Sequence, residues 1–543
     1  RIAGGPGDCV RGIKEGGIIV KRDTSYVIKR AEHFKSILTA EGFLVGIVAG
    51  LVVLLYRVLL EYAGRGMNLV LEYGRKYPLI AGCWFLVLFI LACIVGRLVK
   101  YESFISGSGI PQVEGEMAGK LNQVWWRVLP AKFLGGFLSL FAGLSLGREG
   151  PSIQIGAMAG KAVSKILDRS KTEEKFLLTC GASAGLSAAF HAPLAGVMFS
   201  LEEIHKNFSV SVLVSVMTAS ITADYISSRF LGFRSVFQFE ITGSIPAKYY
   251  GHIIVLGIIL GVMGAFYNKM TLFVQSLFGK IQGKRAETTR LLIPFLLAGA
   301  LGFLMPEILG SGHNIIDIIT EGNAMFTTIL LLFVMKLLFS VISFGSGAPG
   351  GIFFPLLVLG ALIGGAYGTF AVQYLGLDAA YLNNLIMLAM AGYFTAIVRA
   401  PITGIILIFE MTGSVSQMLS LSLVSIVAFL VATAVKSQPI YESLLENLLR
   451  KRGEHVQEKT GEKILQEFVV RHNCELQNKM VQQIEWPKNC LLVAVQRSGT
   501  ELIPKGRTIL MASDTIITMT DEQDAPAVHD RMEVLCSEQE KLK

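Results

Sequence analysis

The sequence predicts an all-α polytopic membrane protein built as an inverted repeat of two halves, followed by a small cytosolic α+β domain. Three observations predict it. Of the 543 residues, 52% are hydrophobic and only 17% charged, with a mean hydropathy of +0.55, too apolar for a water-soluble chain of this length. Uncharged runs long enough, or nearly long enough, to cross a bilayer recur at 79–96, 253–267, 352–377 and 415–435. In each half, hydrophobic segments are interrupted by Gly and Pro, the pattern of transporters whose binding site lies where the repeats meet.

Charge is distributed unevenly. Residues from Lys451 onward net −2, so the preceding 450 carry +10. The first 36 residues hold eight Lys/Arg against four Asp/Glu, which by the positive-inside rule puts this segment in the cytoplasm. No cleavable signal pattern is visible. Seven cysteines form no CxxC pair or Cys/His cluster, so neither zinc nor a disulfide framework is indicated.

In chain order, 40–73 is one helix longer than a perpendicular span needs and therefore tilted, and 79–99 is the cleanest span. At 106–114, SGSGIPQVE, two glycines and a proline forbid a continuous helix and leave the residues after Pro111 free to start one. A span at 124–140 carries Lys132, which either lies buried near a pore or snorkels to the headgroups. After the GREGP turn come a helix at 152–166, a helix at 175–190, a break, Pro193 to Phe199, and the pair Glu202-Glu203. A further span at 210–230 ends the first half, and 237–248 is the loop between halves. The second half reads as helices at 249–278, 291–305 and 327–344, the interrupted stretch GSGAPGGIFFP at 345–355, then helices at 356–376, 384–398, 401–411, 415–435 and 440–449. Residues 451–462 form a charged linker. The domain at 463–543 carries short strands at 468–470, 491–495, 501–503 and 515–519 and a helix at 525–535.

The chemistry centres on Gly147 to Pro151, GREGP, which sets Arg148 and Glu149 between apolar runs. Charges at membrane depth are costly and mark functional positions. Glu149 falls at a helix start, where unpaired N–H groups and the positive end of the dipole attract an anion. That anion is either a diffusing ion or the Glu149 carboxylate itself, so one seat has two candidate occupants. A weakly bound halide suits backbone N–H and hydroxyl donors better than fixed Lys or Arg. Ser108, between Gly107 and Gly109, offers such a hydroxyl, or serves only as an N-cap. Glu203 is either a functional carboxylate or a wet helix end beside Glu202, His205 and Lys206.

GSGIP at 107–111, GREGP at 147–151, GIFFP at 351–355 and PIY at 439–441 stand in the order and spacing of the CLC chloride channel and transporter family, which residues 37–450 resemble. The resemblance implies the CLC fold of about 18 mostly tilted helices and a homodimer with one pore per subunit. It also implies that Ser108 and Tyr441 give hydroxyls to a central chloride. Backbone N–H groups of Ile352 and Phe353, with those of Arg148 to Gly150, would hold an outer chloride. Glu149 would be the gating glutamate, and Glu203, acidic where channel members commonly carry valine, the internal proton glutamate of an exchanger. Intact GSGIP and GREGP motifs, with Ser108 where the nitrate-handling branch has proline, make chloride the expected ion. Phe354 departs from the small residue often found before Pro355.

The tail, CLLVAVQRSGTELIPKGRTILMASDTIITMTD at 490–521, resembles the C-terminal (TrkA-C-like) domain of the regulator of potassium conductance type. Such domains dimerise, and some bind cyclic di-AMP; here the domain is either a ligand-sensing regulator or a dimer-stabilising module. It argues for a bacterial source. The expectation is therefore a proton-coupled chloride antiporter of the plasma (inner) membrane with both termini cytoplasmic. No nucleic-acid partner, metal or resident cofactor is expected. The alternatives are a passive chloride channel of the same fold, or a nucleotide receptor with a vestigial pore.

Overall fold

The computed structural model describes residues 24–206, 209–232, 236–237, 240–283, 285–321, 325–453, 463–497, 500–521 and 524–537. The N-terminal segment expected to be cytoplasmic lies outside these up to residue 23, as does the linker from 454 to 462. The chain divides into two compact units, 1–445 and 446–543.

Sixteen helices of the first unit fall into two matching sets of eight. The first set is α1 (Thr24–Lys76), α2 (Pro78–Tyr101), α3 (Ile110–Met117), α4 (Trp125–Phe141), α5 (Glu149–Ile166), α6 (Lys171–Phe190), α7 (Pro193–Phe199) and α8 (Val210–Leu231). The second is α9 (Tyr250–Gly279), α10 (Ala286–Leu304), α11 (His313–Thr320), α12 (Phe326–Gly345), α13 (Phe353–Tyr374), α14 (Leu382–Val398), α15 (Pro401–Thr412) and α16 (Met418–Ala434). A last helix, α17 (Ile440–Lys451), contains the division between the units. Among the described residues, eight helices are long and apolar enough to cross a membrane. Helix α11 went unread in the sequence, because eight residues between a Gly-rich turn and a loop give too short a run for periodicity to stand out.

The repeat is visible in sequence once the structure aligns it. Gly107-Ser108-Gly109 before α3 recurs as Gly310-Ser311-Gly312 before α11, with left-handed φ at the outer glycines of both (68° and 96°; 60° and 90°), a conformation only glycine adopts without strain. The turns into α5 and α13 match too: Gly143 and Gly347 share φ 85°, and Gly147 and Gly351 exchange both backbone hydrogen bonds, at 2.6 and 2.8 Å. A mutual pair between equivalent residues is what a two-fold relation between the halves produces. Helices α7 and α15 are likewise reciprocal. Glu202, just past α7, accepts from the N–H of Thr403 at the start of α15 (2.9 Å), and Glu410, near the end of α15, accepts from the N–H groups of Leu194 and Ala195 at the start of α7 (3.0 and 2.7 Å).

Small residues let these helices touch backbone to backbone, the packing that serves where burial in lipid supplies no hydrophobic drive. A methyl group placed on Gly156 or Gly160 of α5 would overlap the carbonyl oxygen of Gly181 or Leu177 in α6.

The second unit is a four-stranded antiparallel sheet in the order β1-β4-β2-β3, from β1 (Lys463–Val469), β2 (Cys490–Arg497), β3 (Thr500–Leu502) and β4 (Thr515–Asp521). Helix α18 (Ala525–Cys536) contributes Val528, Met532 and Leu535 to a core with Phe468, Val495 and Ile516. Asp514 is buried and receives two hydrogen bonds from Arg497 (2.8 and 2.6 Å) and one from the N–H of Met511 (2.8 Å). Burial alone would raise its pKa; the Arg497 hydrogen bonds and charge together with the Met511 N–H outweigh this and hold it below the ordinary carboxylate range.

Candidate functional site: an anion seat between paired helix starts

The site is assembled from three Gly-containing breaks, before α3, α5 and α13, and from the start of α17. Two helices begin toward one another at Glu149 and Phe353, each with a proline two residues on, Pro151 and Pro355, where the missing N–H is no loss. Their capping residues, Arg148 and Ile352, have nearly the same backbone angles (−83°, −15° and −94°, −11°). The first N–H groups of each helix have no partner within it, so the Gly147–Gly351 contact brings two positive dipole ends to one place. By the two-fold relation the counterpart of Glu149 is Phe353: one helix start carries a carboxylate and its mate an aromatic ring.

Glu149 is wholly buried, and neither carboxylate oxygen has a hydrogen-bond partner among the described residues. The carboxylate lies against Gly147 on the side where the N–H of Phe354 approaches, so that even a methyl group on Gly147 would collide with both. Its nearest cation is Arg148, whose Nε stands 3.8 Å from Oε1 while the arginine side chain remains 25% exposed. A buried carboxylate whose one ion-pair partner is itself partly exposed is costly, and main-chain dipoles help Arg148 offset the cost here.

Ser108 packs on the other side of this junction. Its Oγ and carbonyl oxygen would each lie 2.8 Å from a methyl group on Gly150, and Oγ accepts from the N–H of Ile110 at 3.3 Å. The loop is held from behind: Gln112 Nε2 donates to the Ser106 carbonyl (2.8 Å), and Lys132, wholly buried, donates from Nζ to the carbonyls of Ile105 (2.9 Å) and Gly107 (2.6 Å). Lys132 does not snorkel. Behind α3 a buried chain runs from Gln154 to Gln123 to Glu116, which pairs with Lys161.

Tyr441, at the start of α17, is wholly buried with its Oη unpartnered among the described residues. Its ring meets Phe199 edge-on (centroids 6.4 Å apart), and Phe199 meets Phe353 (5.8 Å). Thus Ser108, Gly150, Glu149 and Phe353 form one junction and Tyr441 joins it through aromatic rings. Phe354 fills a cage of Phe190, Phe237 and His313, with centroids 5.9–6.2 Å away.

Glu203 lies apart from this junction, in a π-helical turn, Ser200–His205, that continues α7. It is 6% exposed, with Oε1 unpartnered among the described residues, unlike a helix end open to water. Near it, Lys206 bridges Glu114 (2.6 Å) and Glu442 (2.8 Å), the residue after Tyr441. Adjacent glutamates have different partners: Glu202 caps α15, and Glu203 faces the Glu114, Glu442 and Lys206 group.

Sequence reasoning missed Glu410 and Lys336. Lys336 of α12 is wholly buried and donates to the carbonyls of Ile308 and Gly310, both at 2.8 Å. Repeat alignment would have found both, since Ala192-Pro193-Leu-Ala-Gly196 recurs as Ala400-Pro401-Ile-Thr-Gly404 and Lys336 falls at the spacing of Lys132.

Residues 88–433 match the family described as voltage gated chloride channel, and residues 465–532 match the TrkA-C domain. The H(+)/Cl(-) exchange transporter ClcA of Vibrio cholerae serotype O1 (strain M66-2) is 36% identical over 419 residues, 75% of this chain and 89% of that protein. That of Klebsiella pneumoniae (strain 342) is 35% identical over 386 residues, 69% and 82% of the two. Among solved structures, a slow cyanobacterial Cl-/H+ antiporter superposes with TM-score 0.73 at 30% identity, covering 77% of this chain and 99% of that one. A CLC-type fluoride/proton antiporter, at 20% identity and TM-score 0.63 over 78% and 98% of the two chains, shares the fold.

Proposed function

From the premise that the chain belongs to the CLC family of voltage-gated chloride channels and transporters and carries a TrkA-C domain, we propose that it is a proton-coupled chloride antiporter gated by Glu149. The observation that carries this reading is a buried carboxylate, without a hydrogen-bond partner among the described residues, lying where the starts of α5 and α13 converge. Ionised, Glu149 occupies the seat; protonated, it leaves, and chloride takes the N–H groups of Arg148 to Gly150, Ile352 and Phe353. Ser108 and Tyr441 offer hydroxyls to a second chloride deeper in the pore. Because one seat serves carboxylate and halide in turn, proton uptake and chloride binding are exchanged within it. Glu203, buried among Glu114, Lys206 and Glu442, relays protons from the cytoplasmic side.

The protein works as a homodimer in a bacterial inner membrane, both termini cytoplasmic, with the TrkA-C domain as a regulator that takes a ligand such as cyclic di-AMP. Liposome flux tests the transport reading. An outward chloride gradient should drive protons uphill into vesicles, and Glu149→Gln should abolish the proton signal while chloride still flows. Chloride flux without proton movement in the native protein would instead make it a channel. For the tail, cyclic di-AMP added on the cytoplasmic face should change the flux; no change would leave the domain a dimerisation module.

A further inference from the structure

The two wholly buried lysines, Lys132 and Lys336, do the same job in opposite halves, and the consequence for the gate comes from where each loop reaches. Lys132 ties down Ile105 and Gly107, and the N–H of Gly107 donates to the carbonyl of Gly347 (3.4 Å), at the root of the turn into α13. Lys336 ties down Ile308 and Gly310, and the N–H of Gly310 donates to the carbonyl of Gly143 (3.0 Å), at the root of the turn into α5. Each lysine therefore steadies the turn of the other half, and Lys336 serves the turn that carries Glu149.

Two further contacts strengthen that path. Gly312 leaves room for the Lys336 stem: a methyl group there would lie 2.9 Å from both Cε and Nζ. Seven residues along α12, on the same face, Ser343 accepts from the N–H of Ser145 through Oγ (3.3 Å). One face of α12 thus grips the 143–149 turn at two points, through Gly310 and directly. Both ammonium groups point at carbonyl oxygens, which suits a role in holding backbone.

We propose that Lys336 is a positioning residue for the Glu149 gate, acting through the Ile308–Gly310 loop and Gly143 to fix where the carboxylate meets the anion seat. The inference rests on the antiporter reading. Loss of even one hydrogen bond from a charged donor corresponds to about tenfold or more in an equilibrium at the gate.

The test uses the full chain in liposomes, with Lys336→Met, Lys336→Gln and Lys336→Arg made in the native protein and in Glu149→Gln. Lys336→Met should lower chloride-driven proton flux about tenfold and shift the pH profile of chloride flux, and Lys336→Arg should restore both. In the Glu149→Gln background, Lys336→Met should leave chloride flux unchanged, because the group it positions is gone. Lys336→Gln, which keeps a donor within reach of one carbonyl, should fall between Met and Arg, and it carries the same comparison if the Met variant does not fold. Native coupling in both neutral variants, or an equal loss of chloride flux in both backgrounds, overturns the proposal. If Glu149→Gln alone leaves coupling intact, the reading of Glu149 as the gate fails instead, and if the native protein moves chloride without protons the antiporter reading fails, so each failure is told apart from that of Lys336.

Discussion

Glu149 and Ser108 could be singled out as candidates from sequence because each breaks its surroundings: a carboxylate between apolar runs, and a hydroxyl between two glycines. Lys336 and Glu410 were not. Their partners are main-chain carbonyls and N–H groups on elements far along the chain, and a backbone partner leaves no residue type to search for, so only aligning the two halves points to them. The aromatic residue before Pro355, unexplained by sequence, is explained by the ring cage around Phe354. At this scale, Ser108→Ala should weaken chloride binding by about 1 kcal/mol, the usual worth of one hydrogen bond, read by calorimetry as a severalfold weaker affinity with proton coupling retained. In the tail, Asp514→Asn should destabilise the domain by about 2–3 kcal/mol, since it removes charge-assisted bonds to Arg497. Faster hydrogen exchange in β2 and β4 would register the loss. Because the folded-state pKa of Asp514 is depressed, its contribution is present above the unfolded value of about 3.9 and is lost as pH falls through the lower folded value. The native and Asn domains should therefore converge in stability only in strong acid.

Among elements, apolar periodicity and Gly/Pro breaks placed most helices within a few residues, because a membrane forces every spanning segment to satisfy its backbone internally. What periodicity could not supply was which helices touch. The α5–α6 contact depends on the spacing of Gly156, Gly160, Gly181 and Gly185 across two helices, a pattern visible only once their antiparallel register is known. Gly181→Val should prevent that approach and cost about 3 kcal/mol or more, at or above the top of the usual range for forcing bulk into a packed core, seen as loss of the folded protein on size exclusion in detergent. Glu410→Ala should cost about 1 kcal/mol, the worth of an N-terminal cap. It leaves the Leu194 and Ala195 N–H groups without their carboxylate, and a lower thermal midpoint for the purified protein is the readout.

For the molecule as a whole, the two-fold relation between halves explains why the seat exists. Two equivalent helix starts meet at Gly147 and Gly351, so their positive ends add, and one of two equivalent side chains is a carboxylate, which under the proposed function makes the pair a gate. Membrane class, two-half layout and tail domain were legible in composition and motif order. The strict pairing of Gly107 with Gly310, and of Lys132 with Lys336, was not, because most side chains between the halves differ and only the backbone-critical positions repeat. The central claim is that carboxylate and halide alternate in a seat made by peptide dipoles. Anomalous diffraction from bromide-soaked crystals of the native and Glu149→Gln proteins tests it directly. Bromide should appear beside the N–H groups of Ile352 and Phe353 only when the carboxylate is gone. Bromide there with the Glu149 carboxylate still in place, or bromide held instead by lysine or arginine side chains, would contradict the account.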